Sequence, residues 1–208
     1  AEGGVGDADV AGLERRGVED DLLAVEQTRR LYEFLSRLSG PNGIIRQTEF
    51  FLYSERDRQG IEACRDVGAE FPQITGWVRS NIGDLSRVVK MGLPETGILT
   101  SCSDYHIFYK LRSNRRKILD HYLEVVEAAL EAGIRPRCHL EDITRADIDG
   151  FVVPYVQRLM RLSEQAPPHL KVKVRLCDTM GFGLSYPGVP LPRSIPKLCH
   201  RMTHDAGV

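Results

Sequence analysis

The sequence is short of several things. No apolar run approaches the roughly 20 residues that a membrane-spanning helix needs. The start, Ala1-Glu-Gly-Gly-Val-Gly-Asp, lacks the basic and then apolar pattern of a secretory leader. The formal net charge is −1 and the basic residues are scattered, which removes the electrostatic footprint of a nucleic-acid or anionic-membrane binder. Cysteine is limited to five residues, Cys64, Cys102, Cys138, Cys177 and Cys199. An odd number without paired spacing argues against both a disulfide framework and a zinc knuckle. They read as reduced thiols, with Cys102, Cys138 and Cys177 acting as small buried hydrophobes in or beside strands. The expectation is a soluble, cytoplasmic protein without nucleic acid or membrane as a partner. Internal repeats and long low-complexity stretches are also missing.

At 208 residues the chain can bury one good core. Residues 1–21 are rich in Gly, Ala and acidic groups with no sustained apolar period, so they read as a poorly ordered or atypical N-terminal segment. From Leu22 the pattern changes. Leu31, Phe34, Leu35 and Leu38 recur at helical spacing, and Gly40-Pro-Asn-Gly43 stops that helix. Strands follow around residues 44–53, 73–79, 98–103, 135–140 and 171–177. Helices are predicted over about 56–68, 84–92, 147–165 and 193–204. A longer one carries Ile118, Tyr122, Val125, Val126, Ala129 and Leu130 on one face, with Gly133 closing it. Strands separated by helices at these intervals imply a parallel sheet with right-handed crossovers. The alternation leaves a doubly wound sheet and a barrel segment both open.

Three consecutive strand ends carry reactive side chains. Thr100-Ser-Cys-Ser-Asp-Tyr-His-Ile-Phe-Tyr-Lys-Leu111 ends one strand with Asp104, His106 and Lys110; a histidine there can serve as general acid or base. Cys138-His-Leu-Glu-Asp-Ile-Thr-Arg-Ala-Asp147 ends the next with Glu141 and Asp142. These acids read equally as catalytic carboxylates or as residues favoured near the positive end of a helix. Arg137 and His139 share strand parity and therefore a face. An arginine in such a place needs an anion, either Glu141 or a ligand carboxylate. Val174-Arg-Leu-Cys-Asp-Thr-Met-Gly181 ends the third strand with Thr179, whose hydroxyl can bind a ligand carboxylate. His200 and His204 are four apart on the last predicted helix; without a third ligand they read as a solvated helix end.

These three motifs, in this order, resemble the HMGL-like, or DRE-TIM metallolyase, superfamily. It contains 2-isopropylmalate, homocitrate and citramalate synthases and 3-hydroxy-3-methylglutaryl-CoA lyase. The resemblance covers residues 22–208 and implies a partial TIM (β/α)8 barrel, strands two to six with flanking helices. It implies a transferase chemistry: metal-dependent Claisen condensation of acetyl-CoA with a 2-oxo acid, or the related carbon–carbon cleavage, in amino-acid biosynthesis. By resemblance His106 and Glu141 are catalytic, Thr179 binds substrate, and Arg137 holds the substrate carboxylate. His139 occupies a place where several synthases carry serine.

The family's opening strand motif, Asp-Thr-Thr-Leu/Phe-Arg-Asp-Gly, does not occur here, nor does its His-x-His strand. The resemblance therefore implies that the complete family enzyme uses a divalent metal, Mg, Mn or Zn, whereas this chain alone holds none. It also implies a homo-oligomer or a complementing chain, and no independent turnover. A non-catalytic assembly module is the alternative expectation.

Overall fold

The computed structural model describes residues 7–186 and 188–208, with side chains from residue 21 onward. The chain divides into two compact units, one ending at Thr75 and the other running from Gly76 to Val208.

The first unit holds helix α1 (Asp7–Ser39), strand β1 (Gln47–Phe50), helix α2 (Glu55–Arg65) and the start of strand β2 (Gln73–Arg79). The segment 1–21, expected to be poorly ordered or atypical, is helical from Asp7. Its Ala, Leu, Glu and Arg content supplies helix propensity without an amphipathic period. Residues 1–6 lie outside the described residues. Helix α1 stops where predicted, with Gly40 and Gly43 at positive φ. Strand β1 is shorter than its sequence pattern because side chains take over the backbone groups at both ends. Ser39 Oγ donates to Ile45 O and accepts from Ile45 N, while Asp57 accepts from the N–H groups of Tyr53 and Ser54. Ser54 Oγ returns the bond by accepting from Asp57 N, a reciprocal cap that starts α2. Tyr32 is buried and donates to Pro72 O at 2.8 Å.

The second unit continues through β2, α3 (Ile82–Lys90), β3 (Glu95–Ser101), α4 (Arg115–Glu131), β4 (Arg135–Glu141), α5 (Val153–Gln165), β5 (Lys173–Cys177) and α6 (Ile195–His204). The strand order is β1-β2-β3-β4-β5, and β2 to β5 pair in parallel. Neighbours in sequence are neighbours in the sheet throughout. A doubly wound sheet would reverse its order at a switch point. The fold is an arc of parallel strands with flanking helices, a partial (β/α) barrel.

The two faces of the arc differ chemically. Ile98, Cys138 and Leu140 alternate onto the side covered by helices, where Val125, Val126, Tyr155, Val156 and Leu159 are fully buried. Burying each such aliphatic side chain contributes about 1.5–3 kcal/mol. Tyr122 packs 5.7 Å from Tyr155 and donates its hydroxyl to Ser101 O. The opposite parity carries Trp77, Glu95, Ser101, Arg137, His139 and Glu141, a polar face like that lining a barrel interior.

The five cysteines are reduced, with Cys64, Cys102 and Cys138 buried. Cys177 is only half-buried, contrary to the reading of it as a buried hydrophobe, because β5 is the last strand in the sheet order. Burial raises the Cys64 thiol to about 11 and the Cys138 thiol to about 12. Among the described residues no helix is long and apolar enough to cross a membrane.

Candidate active site

The parallel register places Ser101 of β3 directly across from Glu141 of β4, and Glu141 across from Cys177 of β5. The carboxyl ends of these three strands are therefore level. That edge of a barrel is where ligands meet the loops.

Each loop is built by its own short-range chemistry. After β3 the chain makes a wide turn over His106–Lys110, and Asn114 caps α4 by accepting from Lys117 N. After β4, Asp142 takes a left-handed conformation, φ 64°, which Asp tolerates better than most residues. Asp147 then accepts from Gly150 N and caps the wide turn Ile148–Val152 that leads into α5, so the predicted helix start at Asp147 is the cap of that turn. After β5, Asp178 gathers the N–H groups of Phe182 and Gly183, and Gly181 turns at φ 69°.

The loops are then tied together. Asp142 N donates to Thr179 Oγ1 at 2.8 Å, and Thr144 Oγ1 donates to Asp178 Oδ1 at 2.9 Å. Arg115 forks onto Asp104 with bonds of 2.7 and 2.6 Å and reaches Asp147 at 2.8 Å. The Asp142 carboxylate, fully buried, accepts from Arg145 and from Ser103 Oγ. The Arg145 guanidinium lies 4.9 Å over the Tyr105 ring.

Glu141 stands at the centre. Lys110 Nζ lies 2.9 Å from its Oε1 and 2.8 Å from its Oε2, and Ser101 Oγ donates to Oε2. Burial raises the Glu141 carboxyl, but the Lys110 and Ser101 hydrogen bonds and the Lys110 and His106 charges together outweigh it. The net result is a carboxyl below its ordinary range. Asp142 behaves alike: burial raises it, while Arg145 and Ser103 hold it low.

His106 has the most open chemistry. Its side chain is 13% exposed, with Nδ1 3.2 Å from Glu141 Oε2 and Nε2 3.9 Å from Asp142 Oδ2. The Nδ1 contact is close but misaligned for a hydrogen bond, so that buried nitrogen has no hydrogen-bond partner among the described residues. A histidine beside a fixed carboxylate can exchange a proton with a bound molecule.

Of the five sequence-predicted residues, the structure gathers His106, Glu141 and Thr179 at one edge. Arg137 is not with them. It lies four residues earlier on β4, about 13 Å along the strand at ~3.3 Å per residue, and donates to Glu95 Oε1 at 2.5 Å. Its protein partner is thus Glu95 at the start of β3, where Glu141 or a ligand carboxylate was expected. Glu95 also accepts from Arg135 and Lys173. His139 lies between the two groups, with Trp77 Nε1 at 3.3 Å from Nδ1 and Arg137 Nε at 3.4 Å from Nε2. A neutral imidazole accepts at one nitrogen, so these two donors compete.

Sequence reasoning left Ser101, Lys110 and Glu95 without roles. Lys110 was visible as a strand-end cation; Ser101 and Glu95 become legible only once the strand register is known. Beside Lys110 opens a cleft of about 350 Å³ with a floor of Leu99, Ile118 and Tyr122 and a rim that includes Arg79 and His121.

The donors present do not fit a divalent metal. Both oxygens of Glu141 and of Asp142 are already engaged by cations and hydroxyls. No group of three or more His, Cys, Asp or Glu side chains among the described residues is arranged to hold an ion.

Comparison with known proteins agrees with this geometry. The HMGL-like family model matches residues 24–186. A citrate (Re)-synthase of Syntrophus aciditrophicus is 54% identical over 183 residues, covering 88% of this chain and 29% of that protein. Another citrate (Re)-synthase, from Clostridium kluyveri, is 52% identical over 82% of this chain and 37% of its own length. A 2-phosphinomethylmalate synthase of Streptomyces hygroscopicus is 42% identical over 84% of this chain and 40% of its own length. The chain thus spans 29–40% of the curated relatives it matches. With ordered parallel strands, three joined strand-end motifs and a family match over most of its length, this chain belongs to the HMGL-like family.

Proposed function

We propose that this chain is the part of a condensing synthase that handles protons and orients a 2-oxo acid while an acetyl group from acetyl-CoA is added to its keto carbon. The observation carrying this reading is the His106–Glu141 pair, in which the buried imidazole Nδ1 lies 3.2 Å from the carboxylate with no hydrogen bond made. In this reading His106 and Glu141 form the acid/base pair. Glu141 stays ionised and places negative charge beside the ring, and His106 exchanges the proton. Thr179 binds the substrate, while Arg137 and His139 supply positive charge and a donor deeper on the same polar face. A divalent metal, when present in the whole protein, would polarise the keto acid; residues beyond this segment would have to hold it.

Similarity to two citrate (Re)-synthases makes oxaloacetate the first 2-oxo acid to test, since adding an acetyl unit to it yields citrate. The test is CoA release by the complete polypeptide containing this segment, with acetyl-CoA, oxaloacetate and Mg²⁺ or Mn²⁺. Turnover is expected there and not from the 208-residue chain alone. His106→Asn and Glu141→Gln should each lower kcat by about 10²–10⁴ with little change in KM. A complete polypeptide that turns over equally well with either substitution would overturn the assignment.

A further inference from the structure

We infer that Lys110 is a positioning residue for the acid/base pair: its ammonium clamps both carboxylate oxygens of Glu141 and so fixes which edge of that carboxylate His106 meets. Lys110 follows His106 by one wide turn, which brings both side chains from the same loop onto a carboxylate of the neighbouring strand. The two Nζ contacts, 2.9 and 2.8 Å, are nearly equal, so the ammonium sits astride the carboxylate. Ser101 Oγ and His106 Nδ1 both approach Oε2. Rotation of Glu141 about its last bond would break the Lys110 clamp and the Ser101 bond together. Charge-assisted contacts of this kind are roughly twice as strong as neutral ones. The Lys110 side chain is 44% exposed and also borders the cleft, so the clamp faces a space that a ligand can enter.

Other charged groups surround the pair. From the β3 side Cys102 and His106 face Glu141, and from α4 the Tyr122 hydroxyl does. On the β4 loop Asp142 is neutralised by Arg145, and Cys177 is the register partner on β5. Among these, Lys110 is the permanent cation in hydrogen-bond contact with Glu141.

The inference rests on reading Glu141 as an acid/base group, but its test needs no turnover. The glutamate side-chain carboxyl carbons of the labelled 208-residue chain would be titrated by NMR, with Glu141→Gln identifying the signal. Lys110→Met should raise the Glu141 midpoint by about one pH unit, the scale on which a lost neighbouring cation acts. Lys110→Arg should restore the wild-type midpoint. Lys117→Met, which removes the same charge from the exposed start of α4, should leave it in place. An unchanged midpoint in a folded Lys110→Met chain would overturn the inference. If that variant does not fold, the wild-type Lys110 ammonium nitrogen is followed instead. It should shift at the Glu141 midpoint, and a signal indifferent to that midpoint is equally fatal. A shifted midpoint with no condensation by the complete polypeptide would sink the proposed reaction and leave the clamp standing.

Discussion

Arg137 and Glu95 form an ion pair with 4% and 3% side-chain exposure, joining β4 to β3 near the start of the sheet. Removing one partner of such a pair costs more than the pair contributes, because the other charge stays buried. The two losses should be unequal. Glu95→Gln removes the carboxylate that Arg137, Arg135 and Lys173 share, and Arg137 is the buried one of the three, whereas Arg137→Met leaves Glu95 with two cations. Urea unfolding is expected to show a loss of about 3–5 kcal/mol for Glu95→Gln and a clearly smaller one for Arg137→Met. The reverse order would show that Glu95 is not the hub.

Acid should weaken the chain through the strand-end carboxyls. Glu141, Asp142 and Asp178 are all held below their ordinary values of 4.5, 3.8 and 3.8, so the unfolded chain binds more protons. Their stabilisation is complete above those ordinary values and disappears as pH falls through the lowered folded ones. Urea midpoints measured downward from pH ~5 should decline, and Asp142→Asn should lower the plateau while flattening the decline. A midpoint constant down to pH ~3 would contradict the assigned shifts.

Thr179 holds more than a prospective ligand. Its Oγ1 accepts the N–H of Asp142, whose left-handed backbone turns the β4 end towards Arg145. Thr179→Val preserves shape but leaves that N–H without its acceptor, a cost of about 1–3 kcal/mol. Thr179→Ser should recover most of the loss. Amide exchange at Asp142 provides the local reading: fast in the valine variant, slow in wild type and in the serine variant.

Much of the architecture is legible in the residues because local patterns carry it. The bounds of β2 match the expected strand, and β4 extends the expected one by a single residue. In β4 polar and apolar residue types alternate along Arg-Pro-Arg-Cys-His-Leu-Glu, although its five inner residues are all buried. His106 and Glu141 were recognisable as strand-end groups for the same reason. Their closeness, and the partner of Arg137, depend on which residues the register sets side by side. Glu95 lies 42 positions from Arg137, and nothing local links the two. Strand β1 fails differently: the expected strand over 44–53 is long, but Ser39 and Asp57 capture the backbone groups that would extend the ladder.

Arg115 offers a separate test of how the loops hold the site. It begins α4, grips Asp104 in the loop that carries His106, and touches Asp147, the cap before α5. The planar guanidinium meets both carboxylates at once, a geometry lysine cannot reproduce. The three side chains are 35–45% exposed, so the stability at stake is modest, about 1 kcal/mol. The local effect should be larger. Hydrogen exchange over residues 103–111 and 147–152 is expected to quicken together in Arg115→Lys and Arg115→Met, with the core amides of β3 and β4 unchanged. Quickening in one loop alone would mean that Arg115 serves a single carboxylate and does not couple the His106 loop to the capped turn before α5.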